Sequence, residues 1–251
     1  MADYPKVSIV TVVYNGAETI EDTILSVLSQ DYPNIEYVII DGASTDGTLA
    51  KVEPYRANVD QLVSEPDKGL WDAMNKGLKA ATGDIVGILN SDDVYAGPQV
   101  ISQVVEAFRQ HPGVRGVYGN LKYMDKKLEK VIRDWKSRPY DKSFFPGGEM
   151  PPHPTLFLQK SVYEEIGYLD LNFRLGADYE FTFRALEVKK VPVWWVNDYL
   201  VLMRIGGESN RSIKNILTQH RLNMKAWTIH GLRVPLSFHY RKFIHRLRQF
   251  L

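Results

Sequence analysis

Short apolar runs alternate with helical patterns through the first half of the chain, and this alternation constrains the fold more than any other feature of the sequence. Val7–Val13 and Ile35–Ile40 are rich in β-branched residues and apolar on both faces, which is typical of strands buried in a parallel sheet. Val59–Val63 and Ile85–Leu89 repeat the pattern. Since strands that alternate with helices build βαβ units, the sequence predicts an α/β fold with a doubly wound, mostly parallel sheet and helices on both faces.

Apolar residues at helical spacing predict the helices between these strands. One helix runs from Ile20 to Leu28, and another from Leu70 to Ala81, where Gly83 is expected to close it in a left-handed conformation. Asp46 is expected to cap a short helix that ends near Tyr55, because aspartate is a favoured N-cap residue.

The second half has a different pattern, with a long loop and longer apolar strands. From residue 211 the chain has the pattern of a basic helical extension, so we expect one domain at 1–210 and an extension at 211–251. The predicted elements are a helix after Pro98, a hairpin at Gly116–Trp135, a strand at His153–Gln159, helices at 161–166 and 178–188, a strand pair or one bent strand at Val191–Arg204, and a helix at Ser212–His230.

The charge of the chain is unevenly distributed. The 31 Lys and Arg residues nearly balance the 30 Asp and Glu residues, but no acidic residue follows Glu208 while nine basic residues do. A basic tail on an acidic body favours an anionic partner such as a phospholipid surface or a phosphorylated acceptor. The segment Arg241–Arg248 interleaves basic and apolar residues, as a peripheral membrane helix does. A solvated helical tail that only carries charge is the alternative.

The composition excludes several classes of protein. Without cysteine the chain has no disulfide, no thiolate nucleophile and no cysteine-ligated metal. The N-terminal segment lacks a basic region, and Val7–Val13 is too short for a signal peptide or a membrane span. We therefore expect a cytoplasmic protein, with contact at the inner face of the membrane through its tail, and no nucleic-acid partner. The Gly-x-Gly-x-x-Gly motif is absent, and Thr48 follows Gly47 where a phosphate-binding loop needs lysine, so both common nucleotide folds lose support.

Acidic residues follow the predicted strands. Ligands of open α/β sheets bind at the carboxyl ends of the strands, where this chain has Asp41 and the pair Asp92 and Asp93. Hard oxygen donors of this kind suit Mg²⁺ or Mn²⁺, which would neutralise the charge on a nucleoside-diphosphate leaving group. Two alternatives remain, in which Asp92 accepts a hydrogen bond from a ribose hydroxyl or the Asp pair caps the following helix.

Four motifs, in order along the chain, resemble family 2 glycosyltransferases of the GT-A fold. They are the strand that ends in Tyr14-Asn15-Gly16, the segment Asp41–Thr48, the segment Asp67–Gly77, and the segment 81–93. The match is close over residues 6–95 and continues more weakly through Gly176–Phe181. The resemblance implies metal-dependent transfer of a sugar from a nucleotide diphospho-sugar, with inversion at the anomeric carbon.

The resemblance also assigns roles to individual residues. It implies that Asp92 contacts the ribose, that Asp93 ligates the metal, and that Asp178 is the general base. Two departures stand out: many members carry two acidic residues where this chain has Asp41 and Gly42, and the usual Glu before the base is Ala177. The first bears on which nucleoside is bound, and the second on the acceptor side. The residues that the resemblance places along the nucleoside pocket are Val12, Val13, Tyr14, Asn15 and Asp41.

Other residues are candidates on chemical grounds. His153 could reach the metal or the diphosphate, Lys68 could steady a phosphate, and Arg204 could clamp the diphosphate when the site closes. Each has a plainer interpretation as a solvated or structural side chain. Glu180 is the fallback for the base, and Asp178 could instead be an N-cap. The side chains of Trp194, Trp195 and Trp227 could stack on sugars, although their apolar neighbours favour packing in the core.

These features together predict an inverting glycosyltransferase. It would move a sugar from a nucleotide diphospho-sugar to a glycan or lipid-linked hydroxyl acceptor in polysaccharide or glycan biosynthesis. Two alternatives belong to other classes: a nucleotide-sugar-binding protein without transferase activity, and a nucleotidyltransferase, whose Gly-rich basic phosphate loop is missing here.

Overall fold

The computed structural model describes residues 4–206, 213–238, 240, 241 and 244. The described residues contain nine strands and seven α-helices, in the alternating order that the sequence predicts for the first half. The strands are β1 (Val7–Val13), β2 (Ile35–Asp41), β3 (Gln61–Ser64), β4 (Ile85–Ile88), β5 (Asp93–Tyr95), β6 (Gly116–Met124), β7 (Val131–Trp135), β8 (Phe157–Gln159) and β9 (Val193–Arg204). The helices are α1 (Ile20–Leu28), α2 (Thr48–Val52), α3 (Leu70–Ala80), α4 (Val100–Gln110), α5 (Lys160–Ile166), α6 (Ala177–Phe183) and α7 (Ile213–Ile229).

The nine strands form one sheet, in the order β3-β2-β1-β4-β8-β6-β9-β5, with β7 paired to β6. Strands β3, β2, β1 and β4 are parallel, and the antiparallel strand β8 joins them to β6 and β9, which again run in the direction of β1. Only β5, β7 and β8 run the other way, so six of the nine described strands share one direction. The predicted mostly parallel α/β fold is therefore confirmed.

Helices cover both faces of the sheet, as predicted. On one face α1 and α4 bury apolar side chains such as Ile24 and Val104 against β1 and β2. On the other face α3, α5 and α6 pack around Val10 and Val38. Every residue of β1 is buried, because parallel strands flank it and helices cover it on both sides.

The chain beyond residue 212 packs on the same core. Trp227 of α7 is buried, and its Nε1 donates a hydrogen bond to the Tyr179 hydroxyl of α6 at 3.0 Å. Phe238 is fully buried and packs edge-on to the Trp227 ring. Leu217, an apolar residue of the same helix, is 56% exposed. The boundary at residue 210 stays a prediction, but α7 is joined to the domain by buried aromatic packing.

Several predicted elements are wrong in detail. The segment His153–Gln159 begins with a 3₁₀ turn at His153–Thr155 and only Phe157–Gln159 is a strand, because Pro154 has no N–H to donate to a sheet. Gly83 is not a left-handed cap: α3 ends at Ala80, and the Gly83 N–H donates to the Ser8 hydroxyl at 2.8 Å.

Three further boundaries differ from the prediction. The third strand is shifted to Gln61–Ser64. Asp46 is not the N-cap, which is Gly47, although the Asp46 carboxylate does accept a hydrogen bond from the Thr48 N–H at 3.0 Å. The predicted helix at 178–188 is α6 followed by a π-helical turn at Arg184–Val188. None of the helices in the described part of the chain is long and apolar enough to cross a membrane.

Candidate active site

Loops that follow β1 to β4 converge at the carboxyl edge of the sheet. A Cβ atom at Gly42, after β2, would lie 2.4 Å from the Asp67 carboxylate and 3.3 Å from the Tyr14 ring. A Cβ at Gly16 would lie 3.3 Å from the hydroxyl of Ser91, in the loop after β4. The loops that follow these four strands therefore approach one another closely. The edge predicted to bind a ligand is assembled from four strand ends, and it includes Asp67, which the sequence places in a family motif without giving it a role in the site.

Asp41 presents one unpaired oxygen within this group of loops. The residue is fully buried, and its Oδ2 accepts hydrogen bonds from the Ser44 N–H at 3.0 Å and the Ser64 hydroxyl at 2.6 Å. Its Oδ1 is buried without a hydrogen-bond partner. Because buried polar atoms in folded proteins are nearly always paired, an atom of this kind is a candidate contact for a ligand.

Asn15 organises the loop that faces Asp41. Its backbone is in the left-handed region, with φ 51°, a conformation that asparagine tolerates better than most residues. The Asn15 N–H donates to the Ser44 hydroxyl at 2.8 Å, and its side-chain oxygen accepts from the Thr45 N–H at 2.9 Å. Asn15 therefore shapes the wall of the predicted nucleoside pocket by holding two loops together.

The remaining predicted nucleotide contacts differ in exposure. The side chain of Val12 is buried in the apolar core, so only its backbone is available to a ligand. Tyr14 is 67% exposed, with its ring beside Gly42. Lys68 is exposed, and its backbone N–H donates to the Asp72 carboxylate at 3.0 Å. Its role with a phosphate stays a prediction.

The pair Asp92 and Asp93 lies at the same edge, and the two carboxylates are in different environments. Asp93 is buried and starts β5, so it does not cap a helix. Its oxygens accept hydrogen bonds from the Asn90 side-chain amide at 3.0 Å and the Arg204 backbone N–H at 3.2 Å. Burial, together with the charge of Asp92, holds the pKa of Asp93 well above its usual range.

Asp92 keeps a more open carboxylate. Its side chain is half-buried, and burial raises its pKa, while the positive charge of Arg204 opposes the shift. In the neighbouring residue Asn90, the side-chain oxygen is buried without a partner. Two oxygen donors at one loop suit a hard cation, although the described residues contain no group of three or more His, Asp or Glu placed to hold a metal. Since Mg²⁺ is commonly bound by one or two carboxylates plus substrate phosphates, the donor set fits an ion that arrives with a diphosphate.

Arg204 holds this acidic loop in place. Its guanidinium is buried and donates to the Asp92 carbonyl at 2.9 Å and the Lys126 carbonyl at 3.0 Å, and it forms an ion pair with Asp22. All three guanidinium nitrogens of Arg204 thus have protein partners. The predicted contact of Arg204 with a diphosphate stays a prediction. Arg204 is the last residue of β9, and β9 pairs with β5, the strand that begins at Asp93. Arg204 therefore lies next to the loop that carries Asp92 and Asp93.

Asp178 and His153 lie together, on the side of the sheet that carries α6. Asp178 is half-buried in the first turn of α6, where its Oδ1 accepts a hydrogen bond from the Tyr179 N–H at 2.8 Å. The N-cap of α6 is Gly176, so an N-cap role for Asp178 is wrong. His153 is buried, and burial lowers its pKa while the charge of Asp178 acts to raise it. The structure thus places His153 within electrostatic reach of the predicted base, and its role as a metal ligand stays a prediction.

Glu180 cannot serve as the fallback base, because its carboxylate is already paired. It is buried and forms a bidentate ion pair with Arg184 at 2.9 and 3.1 Å, and the His230 ring lies 2.9 Å from its Oε1. Arg184 in turn donates to backbone carbonyls of the turn after α5. Glu180 therefore joins three segments of the chain.

Helix α3 connects the loops at the carboxyl edge of the sheet to the region of Asp178. The Trp71 indole N–H donates to the Arg174 carbonyl at 2.8 Å, and the Asn75 side chain forms two hydrogen bonds with the backbone of Leu169. These contacts fix the loop that leads into α6, so Asp178 is held by the helix that follows Asp67.

The sequence model of glycosyl transferase family 2 matches residues 8–167, which include every strand-end loop described above. This chain belongs to that family. An uncharacterized glycosyltransferase of Mycobacterium tuberculosis is 34% identical to this glycosyltransferase over 187 residues, which are 74% of this chain and 70% of that protein.

Solved structures share the fold of this glycosyltransferase at low sequence identity. Residues 1–349 of S. aureus TarS superpose with a TM-score of 0.68 at 20% identity, covering 95% of this chain and 72% of that one. TarS has also been crystallised with UDP-GlcNAc. The mannosyltransferase PcManGT from Pyrobaculum calidifontis, in complex with GDP-Man and Mn²⁺, gives a TM-score of 0.66 at 20% identity and covers 96% of this chain and 69% of its own. The fold is thus that of GT-A glycosyltransferases.

Proposed function

We propose that this glycosyltransferase moves a sugar from a nucleotide diphospho-sugar to a hydroxyl acceptor in polysaccharide or glycan assembly, with inversion at the anomeric carbon. The observation that carries the proposal is the unpaired, buried Oδ1 of Asp41, at the place where the loops of four strands meet. A buried carboxylate oxygen without a partner is costly, so a ligand N–H at this position restores a lost hydrogen bond. The nucleobase of the donor supplies such a group.

The unpaired Oδ1 of Asp41 also favours one kind of nucleobase in the sugar donor. Uracil and thymine present a single ring N–H, which one carboxylate oxygen accepts, whereas guanine presents two adjacent N–H donors that pair best with two free oxygens. Since Oδ2 is already occupied by Ser44 and Ser64, we propose a UDP- or dTDP-sugar as the donor.

A turnover assay with UDP-, GDP- and dTDP-sugars, which measures the released nucleotide, tests this proposal. We expect release from a pyrimidine donor, and a KM about 10- to 100-fold higher in Asp41→Asn because a hydrogen bond to a charged group is lost. Ser64→Ala is the matched control: it removes one partner of Oδ2, leaves Oδ1 free, and should change KM little. Equal use of GDP-sugars with an unchanged KM in Asp41→Asn would contradict the assignment. Donor binding without turnover of any donor would favour the non-catalytic alternative.

A divalent cation, Mg²⁺ or Mn²⁺, is proposed to bind at the Asp92 and Asp93 loop. Asp93 is the ligand that the family resemblance implies, and the open carboxylate of Asp92 and the unpaired Asn90 oxygen are available beside it. When bound, the ion neutralises charge on the diphosphate leaving group. On the acceptor side, we propose that Asp178 takes the proton of the attacking hydroxyl.

The C-terminal region is proposed to hold this protein at an anionic membrane, where a lipid-linked acceptor would be found. Leu236 is 91% exposed, and the described residues Tyr240, Arg241 and Ile244 are exposed beside it. Most of the predicted segment Arg241–Arg248 lies outside the described residues. Helix α7 packs against α6, so this exposed surface is joined to the helix that carries Asp178. A cytoplasmic location, at the inner face of the membrane, follows from the same proposal.

Sedimentation with vesicles that contain phosphatidylglycerol tests the membrane contact. The variant Leu236→Ser/Arg241→Ser/Ile244→Ser should bind at least about fivefold more weakly, since each basic residue near an anionic surface contributes about 1 kcal/mol. Substitution is preferable to deletion from residue 236, because deletion would remove the buried Phe238. The control Leu25→Ser/Arg109→Ser changes exposed residues of α1 and α4 and should sediment like wild type. Equal sedimentation of all three proteins would leave only a solvated tail.

A further inference from the structure

A trough runs between α4 and β9, and none of the described residues that line it belongs to the loops that follow β1 to β4. Its larger part is a groove of about 990 Å³, and a second groove of about 450 Å³ continues it. The two share Gln99, Gln103 and Asp198, so they form one continuous trough. Along β9 it extends from Val193 to Leu202, about 30 Å at about 3.3 Å per residue.

The larger groove is lined by aromatic rings that are fixed in place. Trp194 is 42% exposed, and its indole stacks on the His111 ring with centroids 3.4 Å apart. The Trp195 indole N–H donates to the Asn120 side chain at 3.2 Å, and the Tyr140 hydroxyl donates to the Glu187 carboxylate at 2.6 Å. The rings are therefore held before any ligand binds, which lowers the entropic cost of binding.

The polar lining of this groove consists of amides and carboxylates, with the hydroxyls of Ser102 and Tyr140. None of the described residues that line the larger groove is a lysine or arginine. Gln103 lies where the two grooves meet: its amide nitrogen donates to Asp198 at 3.2 Å, and its side-chain oxygen is buried without a partner. The groove thus offers acceptors for hydroxyl donors, one of them unpaired. The other amide and carboxylate residues that line it are Asp31, Gln99, Glu106, Gln110 and Asn197.

Aromatic rings together with amide and carboxylate groups favour one class of ligand for this groove. The carboxylates disfavour anions such as nucleotides and phospholipid headgroups. The many polar groups disfavour an apolar partner helix, which would leave them buried and unpaired. A neutral sugar chain suits both features, because its hydroxyls donate to amide and carboxylate oxygens and the C–H faces of its rings stack on indoles.

One end of the trough lies next to β5, the strand that begins at Asp93. Leu202 lines its smaller part and pairs with Val94 of β5, directly after Asp93. A sugar chain lying along β9 would therefore extend from Trp194 towards the loop of Asp92 and Asp93. We propose that the trough binds an extended neutral oligosaccharide. Only the identification of that oligosaccharide as acceptor or product rests on the proposed function.

Isothermal titration with cellohexaose, chitohexaose and maltohexaose tests the proposal on the full-length protein. We expect at least one of them to bind, with Trp194→Ala and Gln103→Leu each weakening binding about tenfold or more, as truncation of an anchoring contact does. Tyr4→Ala changes an exposed ring outside the trough and should bind like wild type. A hexamer of galacturonate, which carries carboxylates, should bind more weakly than the neutral chain.

Hydrolysis of the donor in the absence of acceptor separates this proposal from the proposed function. Trp194→Ala should hydrolyse donor at the wild-type rate, because Trp194 lies outside the strand-end loops. Failure of all three neutral hexamers to bind, or wild-type affinity in both trough variants, would overturn the proposal. Sugar binding without donor turnover would instead count against the proposed function and leave the trough in place.

Discussion

Replacing Asp178 by asparagine should lower the rate of sugar transfer by about 10²- to 10⁴-fold, the usual contribution of general acid–base catalysis. Direct displacement at the anomeric carbon requires a group that takes the proton of the acceptor hydroxyl as the new bond forms. Asparagine keeps the shape of the side chain and can still accept the Tyr179 N–H bond, but it cannot take up a proton. Donor affinity and thermal stability should therefore stay near wild type.

Glu180→Gln is the matched control, two residues along the same helix. It removes the negative charge that pairs with the buried Arg184 cation, and loss of one charge of a buried ion pair typically costs about 3–5 kcal/mol. The two variants should thus differ in kind: Asp178→Asn folds normally and fails to transfer, whereas Glu180→Gln melts at a lower temperature, and its folded fraction still transfers. Single-turnover transfer and thermal denaturation of both proteins measure this. Transfer by Asp178→Asn at the wild-type rate would place the base elsewhere.

Much of the parallel half of the fold could be predicted from local patterns. The runs at Val7–Val13 and Ile35–Ile40 are apolar on both faces, and no other environment in a soluble domain suits such a strand as well as the centre of a covered sheet. Once the strands are placed, the rule that ligands bind at the carboxyl ends of strands brings Asp41 and Asp92 to one edge. The structure confirms this placement without assigning their chemistry.

The second half could not be predicted as well, because its pairing is long-range. β5 has three residues and forms by pairing with β9, about a hundred positions later in the chain. A segment that short has no periodicity of its own, so the sequence predicts no strand here and leaves helix capping open as an alternative for the Asp pair. The strand predicted at His153–Gln159 failed for a local reason, the missing N–H of Pro154.

The roles of charged side chains depended on partners far away in sequence. Arg204 and Asp22 are 182 residues apart and form an ion pair beside the acidic loop. Glu180 is paired by Arg184 on its own helix, but the contact with His230 spans 50 residues. From sequence, both Arg204 and Glu180 were candidates for contact with substrate, because residue type and position do not reveal which charges the protein has already neutralised.

Removing the divalent cation should have an effect comparable to loss of the base. Chelation by EDTA, or Asp92→Ala, should lower transfer by about 10²- to 10⁴-fold if the ion supplies several kcal/mol of leaving-group stabilisation. Asp92 is the informative position, because in the described residues its carboxylate accepts no hydrogen bond from another residue, so its loss should leave the metal-free fold intact. Asp93→Ala should also lose transfer, but it removes acceptors from Asn90 and from the backbone of Arg204.

Thermal denaturation with Mn²⁺ and UDP gives a readout that does not depend on turnover. Burial raises the pKa of Asp93 above its unfolded value, so the metal-free protein loses stability as the pH rises through that raised pKa. A cation binds the ionised form and offsets this loss, and the increase in Tm on adding Mn²⁺ and UDP should therefore grow as the pH rises above the usual range of an aspartate pKa. The increase should shrink in Asp92→Ala. A Tm that is independent of Mn²⁺ at every pH, together with full transfer in EDTA, would show that the loop works without a metal, and Asp92 would then act through the ribose alone.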